Sequence, residues 1–212
     1  MRRLKQKRTY EVALSCFGHV AGVDEAGRGA CAGPITIAAC ILPPKIIPEL
    51  DRLADSKKLS AKVREELAAV IKKVALAWSV IHISAEEIDR DGIQWANVCG
   101  MRRAVANLQI QPGYVVTDAL KVPGLSVPHL PIIGGDDAAR CISAASVLAK
   151  TARDQVMREL DEQHPGYGFG NHKGYGTRVH MDAVRRHGAS PQHRYTYANV
   201  TAAHQEWLSR GC

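Results

Sequence analysis

Apolar positions along the chain follow two periods, and their order predicts the elements. His19-Val20-Ala21-Gly22-Val23 reads as a short buried strand, followed by a glycine-rich turn at Gly27-Arg28-Gly29. Ile35 to Leu42 reads as a second strand, closed by Pro43-Pro44. Ser60 is placed to cap a helix whose inner face carries Val63, Leu67, Val70, Ile71 and Val74. Leu76, Trp78 and Val80, with Ala77 and Ser79 between them, alternate as in a half-buried strand. Ser84-Ala85-Glu86-Glu87 is a capping box, and Val98, Met101, Val105 and Leu108 mark another amphipathic helix. Tyr114–Thr117 and Leu130–Ile133 are short strands. Ile142, Ala145, Ala149, Ala152, Val156 and Leu160 then line one face of a long helix. After Pro165 the chain turns rich in Gly, His, Lys, Arg and Tyr and predicts a small helical appendage. Early strands with interleaved helices give an α/β protein, a mixed sheet with helices packed on it.

Composition narrows the class. At 212 residues, 46% apolar and 23% charged, the chain suits one globular domain with a small appendage. Its net charge of +7 favours a polyanionic partner, although charge alone fits a merely solubilising role equally well. None of the six cysteines forms a C-x-x-C pair, so a zinc ribbon is excluded and reduced core thiols are expected. The nine histidines show no H-E-x-x-H spacing. The basic stretch Met1–Arg8 lacks a following apolar core, so it is no secretory signal, and no apolar run approaches transmembrane length. A cytoplasmic, membrane-free protein is expected, with its first residues a solvated tail.

Four acids share one context. Asp24 and Glu25 follow the first strand, Asp118 follows Tyr114–Thr117, and Asp136 follows Leu130–Ile133. Side chains at neighbouring strand ends can converge in one cleft. Carboxylates gathered there repel by several kcal/mol at intermediate dielectric, so the group needs cations or protons. Hard divalent cations suit oxygen donors, and two such ions can cleave a phosphodiester. Any one of these acids alone would more simply be a surface residue. Because successive strand residues face opposite sides, Glu25 must sit at a bend or serve from another direction than Asp24.

The motifs are specific in combination. Ala21-Gly22-Val23-Asp24-Glu25-Ala26-Gly27-Arg28-Gly29 with Ala32-Gly33-Pro34, Asp55-Ser56-Lys57-Lys58-Leu59-Ser60, Ile142–Lys150 with Arg153-Asp154, and Tyr167-Gly168-Phe169 with His172–Thr177 stand in one order across about residues 18 to 200. This set resembles the bacterial ribonuclease HII family. The resemblance implies a ribonuclease H-like fold: a mixed five-stranded sheet flanked by helices, with a small C-terminal helical extension. It implies a tail over 1–17, a catalytic domain over 18–164 and a substrate-binding extension over 165–212. It implies that Asp24, Glu25, Asp118 and Asp136 are the catalytic and metal-binding quartet for Mg²⁺ or Mn²⁺. It also implies hydrolysis of the RNA strand of RNA–DNA hybrids, and cutting at single ribonucleotides in DNA, leaving 3′-hydroxyl and 5′-phosphate ends. Gly27, Arg28, Gly29 and Tyr175 would read the ribonucleotide–deoxynucleotide junction, and Ser56, Lys57 and Lys173 would approach the substrate. The partner is nucleic acid and the protein is expected to be a monomer. The chain departs from the family pattern at Ala30, at Ala119, which replaces a glycine, and at Gly134, which replaces a lysine. A type III ribonuclease H would lack the arginine-bearing turn, and a non-catalytic binder would have lost an acid; both Arg28 and the four acids are here.

Overall fold

A computed structural model describes residues 5–210, and the side chains of residues 54–58 lie outside the description. In chain order the elements are α1 (Thr9–Ala13), β1 (Val20–Ala26), β2 (Ile35–Ile41), α2 (Ala61–Val74), β3 (Ala77–Ile83), α3 (Ala85–Asp91), α4 (Ile93–Ala106), β4 (Tyr114–Asp118), β5 (His129–Ile132), α5 (Gly135–Ala138), α6 (Arg140–Gln163), α7 (Phe169–His172), α8 (Arg178–His187) and α9 (Ala198–Arg210). The strands form one sheet in the order β3-β2-β1-β4-β5. β1 pairs parallel with β4, and β4 pairs parallel with β5. The eight residues joining β1 to β2 are too few for a parallel crossover, so that pair is antiparallel and the sheet is mixed. This is the α/β architecture that the hydrophobic pattern predicts.

Two compact units make up the chain: Met1–Ala26, Ile37–Ile81 and Val98–Thr151 in the first, and Gly27–Thr36, His82–Asn97 and Ala152–Cys212 in the second. In the first, Leu50, Leu53, Leu67 and Ile71 pack with Ala144, Ala145 and Leu148 of α6, while Val20, Val116 and Ile132 pack with Ile142. In the second, Met157, Leu160, Phe169, Met181, Val184 and Val200 form the core. The unit that holds the C-terminal helices thus draws on earlier chain segments as well as on residues beyond 165.

Local signals behave as expected where they are self-contained. The Ser60 hydroxyl accepts from the Val63 amide, and Ser84 and Glu87 exchange the two bonds of a capping box. Among the described cysteines Cys31, Cys40 and Cys141 are buried and free, and burial pushes the Cys40 thiol up to about 12.

Three expectations need correction. First, β1 does not stop at Val23; it runs through Asp24 and Glu25 to Ala26. The backbone stays extended through Glu25, so Glu25 is not at a bend and faces the opposite side of the sheet from Asp24. Second, β3 is buried in the other phase. Ala77 and Ser79 are inside, Leu76 and Trp78 are open, the Ser79 hydroxyl bonds the Ala104 carbonyl at 2.6 Å, and the Lys72 ammonium lies over the Trp78 ring. Small residues face α4 because that side leaves no room for an indole. Third, the basic N-terminus is only partly a solvated tail. Lys7 and Thr9 are buried, and the Gln6 amide and Arg8 guanidinium donate to the Ile47 and Pro44 carbonyls at 2.7 and 2.6 Å.

Candidate active site

The acids follow from how β1 and β4 are held. Gly22 has no space for a side chain, since a Cβ there would sit 2.2 Å from the Cys141 carbonyl carbon. That close approach lays the start of α6 against β1. Two residues on, Asp24 faces the same way and meets the Ser146 side chain and the charge of Lys150. Ile142, Ser146 and Lys150 are spaced at four, one stripe of α6; the Lys150 ammonium donates to the Ser146 hydroxyl at 2.7 Å. The Glu25 amide donates to Asp24 Oδ1 at 2.8 Å.

The register of β1 against β4 runs from Val20 opposite Tyr114 to Val23 opposite Thr117. One residue further on each strand stand Asp24 and Asp118, neighbours across a parallel pair whose strands lie about 4.8 Å apart. The Asp118 carboxylate accepts from the Gly135 amide at 2.7 Å. A Cβ at Gly135 would meet Ile142 Cδ1 at 2.6 Å, so any larger residue would make the end of that side chain shift. Asp136 comes next and is 5% exposed, whereas the Asp137 side chain is 51% exposed, so burial separates the two adjacent acids. Ala119, directly after Asp118, holds a φ of 54°, a left-handed conformation that costs a non-glycine residue about 1 kcal/mol.

Asp24 is 5% exposed, and its carboxyl is pushed up to about 7. Burial is the main cause and the charge of Glu25 the next; Ser146, Lys150 and the Glu25 amide pull the other way without balancing them. Among the described residues no group of three or more His, Cys, Asp or Glu side chains is arranged to hold a metal ion. The acids therefore offer strand-end oxygen donors, not a finished coordination shell.

The expected substrate-reading residues, apart from Ser56 and Lys57, lie in the second unit. Gly27 has a φ of 86°, and a Cβ on it would overlap Arg153 Nε at 1.9 Å. Arg28 is exposed and donates to Gln94 at 3.0 Å, and Gly29 has open space around it. The Gly174 carbonyl accepts from the Cys31 amide at 2.8 Å, which ties the segment before Tyr175 to the loop after the turn. Tyr175 is 46% exposed, with the Arg153 guanidinium 5.7 Å from its ring centre. Lys173 donates to the Gly170 carbonyl within its own turn. The side chains of Ser56 and Lys57 fall outside the described residues.

Two arginines without an expected role organise this unit. Arg194 is fully buried and donates to the carbonyls of Gly27, Arg28 and Gly33 at 2.8, 2.9 and 3.0 Å, and to the Tyr197 hydroxyl at 3.1 Å. Arg153 donates to the Pro34 and Ala32 carbonyls at 2.9 and 3.2 Å. Desolvation lowers both guanidinium groups, Arg153 to about 10. Ser146 could have been noticed as a polar residue on the apolar stripe of α6; a lone Arg194 offers no such signal.

The family model described as Ribonuclease HII matches residues 21–200. The chain belongs to the ribonuclease HII family. It is 67% identical to the ribonuclease HII of Corynebacterium efficiens over 209 residues, which span 98% of this chain and 90% of the relative. Its fold is that of the ribonuclease H2 from Pyrococcus horikoshii, with a TM-score of 0.77 at 24% identity over 90% of this chain and 99% of the other. It is also that of Bst-RNase HIII in complex with Mn²⁺, with a TM-score of 0.69 at 17% identity over 91% and 71%. As a member of that family the protein is a hydrolase, an endoribonuclease acting on RNA–DNA hybrids. No helix among the described residues is long and apolar enough to cross a membrane.

Proposed function

We propose that the protein cuts the RNA strand of hybrids, and cuts at single ribonucleotides embedded in duplex DNA, with Asp24, Glu25, Asp118 and Asp136 as its catalytic acids. The observation that carries this reading is the buried Asp24 carboxyl, raised to about 7, in register with Asp118 on the neighbouring parallel strand. Two oxygen donors side by side, one of them short of positive charge, fit Mg²⁺ or Mn²⁺. Mg²⁺ retains waters and completes its shell with substrate phosphates, so it needs few protein donors. The Mn²⁺ held by the related Bst-RNase HIII supports a divalent ion. Held in a pair by Asp24, Glu25, Asp118 and Asp136, such ions would supply an activated water and charge stabilisation for the leaving oxygen, which would leave 3′-hydroxyl and 5′-phosphate ends.

The chain's own groups supply the rest. Ser146 and the Glu25 amide orient Asp24, and the Gly135 amide orients Asp118. Arg28 and the open Gly29 backbone offer a cation and amide or carbonyl groups to a phosphate and a 2′-hydroxyl. The half-exposed Tyr175 ring suits stacking beneath the sugar or base that follows. Lys173, Ser56 and Lys57 add phosphate contacts. The protein acts as a monomer.

The test is a DNA duplex carrying one ribonucleotide, incubated with and without Mg²⁺ or Mn²⁺ and mapped at the cut. One incision beside the ribonucleotide, only with metal and with a 5′-phosphate, is expected; equal cutting in chelator overturns the metal reading. Tyr175→Ala should lower cutting at the single ribonucleotide about 5- to 150-fold more than cutting of long hybrids, by loss of about 1–3 kcal/mol of stacking. An equal loss on both substrates removes the junction role.

A further inference from the structure

Lys7 reaches the turn that carries Asp136 from the far end of the sequence. Its side chain is 9% exposed. The ammonium donates to the Asp136 carbonyl at 3.2 Å and to the Leu53 carbonyl at 3.3 Å, and lies 3.7 Å from the Asp137 carboxylate. The Ser143 hydroxyl donates to the same Asp136 carbonyl. From Leu130 to Ala139 the chain has no basic residue of its own, so this cation is imported.

Its delivery is built. Gln6 and Lys7 both hold left-handed backbone, with φ of 58° and 54°. Side chains other than glycine and asparagine resist that conformation, and it persists only where surrounding contacts over-determine it. The contacts are here: Gln6 donates to the Ile47 carbonyl and to Asp51, and its own oxygen accepts from the Ile47 amide and Arg140, each at 3.1 Å. A buried ammonium with two carbonyl acceptors and a carboxylate beside it is not a solvated tail charge.

We propose that Lys7 is a positioning residue for Asp136, the N-terminal segment clamping the Asp136 backbone so that its carboxylate is presented in one orientation. This rests on the reading of Asp136 as a metal-binding acid. Lys7 touches neither substrate nor ion; it acts through the turn. Removing an outer partner of a metal-binding group typically costs 10- to 100-fold in metal affinity.

The full-length variants Lys7→Met, Lys7→Arg, Arg8→Ala and Asp136→Asn separate the possibilities. Lys7→Met keeps the apolar stem and removes the donor. It should raise the Mg²⁺ concentration for half-maximal cleavage about tenfold with the KM for duplex within about twofold, weaken Mn²⁺ binding by calorimetry to the same degree, and speed amide exchange over residues 134–143 in the metal-free protein. Lys7→Arg should restore most of each. Arg8→Ala, on the same segment but bonded to Pro44, should change none of them. Wild-type metal dependence and exchange in Lys7→Met, beside an inactive Asp136→Asn, overturns the Lys7 role and leaves the Asp136 reading standing. Wild-type metal dependence in Asp136→Asn overturns that reading itself. A shift in Arg8→Ala equal to that in Lys7→Met overturns the specific part of Lys7. If Lys7→Met does not fold, exchange in the polar variant Lys7→Gln decides, since loss of protection confined to 134–143 is what the clamp requires.

Discussion

In the first unit the buried Asp24 carboxylate is met by one hydroxyl, one backbone amide and a nearby ammonium, and it remains so short of compensation that its carboxyl is held at about 7. In the second unit the buried Arg194 guanidinium is met by three backbone carbonyls and a tyrosine hydroxyl. Both are charges taken out of water, and burial shifts both toward their neutral forms, but Arg194 meets acceptors at all three of its nitrogens within the chain. A buried charge satisfied by backbone groups builds a scaffold, because its removal strands several partners at once. A buried charge left short marks where something from outside must enter. The contrast separates Arg194, which shapes the Gly27–Gly29 turn, from Asp24, which we propose holds a cation.

The largest expected effect tests the unfinished charge. Asp24→Asn should lower cleavage by a factor of about 10³ or more, or about 4 kcal/mol of transition-state stabilisation. The same change should stabilise the metal-free protein at pH 8. A carboxyl whose folded value is raised contributes stability below its ordinary value of 3.8 and loses it as pH rises through about 7. Asparagine keeps the neutral shape at all pH. Three pH units correspond to an upper figure of about 4 kcal/mol. Urea midpoints in chelator at pH 8 measure it. An Asp24→Asn variant that is inactive and also less stable than wild type would mean that Asp24 is a structural acid.

The finished charge should respond in the opposite way. Arg194→Met leaves the Gly27, Arg28 and Gly33 carbonyls without their donor and should cost about 3–5 kcal/mol. Arg194→Lys should recover little, since an ammonium cannot reproduce a planar fork that bonds several carbonyls. Urea unfolding and amide exchange at residues 27–34 read this directly. A loss below about 1 kcal/mol would show that water replaces the guanidinium and that the turn holds itself.

How much of this was legible depended on where each residue's partner lies in the chain. The α2 and α3 caps join residues three apart, so Ser60 and the Ser84–Glu87 box declared them. The strand-end acids were visible because Asp118 and Asp136 follow short apolar runs, and the ordered motifs gave the family. β3 was misread in phase because the alternation of Leu76, Trp78 and Val80 says which residues share a face, but not which face a helix covers. β1 was read short because Asp24-Glu25 looks unlike a strand until β2 and β4 pair on both sides. Arg194 and Lys7 were beyond reach for a different reason. Arg194 meets Gly27 across 167 residues and Lys7 meets Asp136 across 129, and their acceptors are carbonyls, which every residue carries.

The smallest expected effect is an acid response confined to the second unit. His180 and His193 are buried and share a bond between their Nε2 atoms at 3.0 Å. The Tyr175 carbonyl, 2.9 Å from His180 Nδ1, can only accept, so that nitrogen carries the hydrogen and His180 Nε2 is bare. His193 must then donate from Nε2 and accept from the Ser190 amide at Nδ1, at 2.9 Å. A further proton on His180 Nε2 would face the His193 donor and would break this relay, which ends on the backbone of Tyr175. Burial accordingly pushes both imidazoles down to about 4. For a base with a lowered folded value the stability is full above its ordinary value of 6.5 and is lost as pH falls toward about 4, because the unfolded chain takes up protons first. One such group loses about 2 kcal/mol between pH 7 and pH 5. Over the same window Asp24 acts with the opposite sign, so the measurement belongs in the Asp24→Asn background, where that opposing response is removed. There the urea midpoint should fall between pH 7 and pH 5, and adding His193→Asn, which cannot titrate, should flatten the fall. An unchanged slope in that double variant would show that the pair is already charged in the folded protein and that the relay to Tyr175 is not formed.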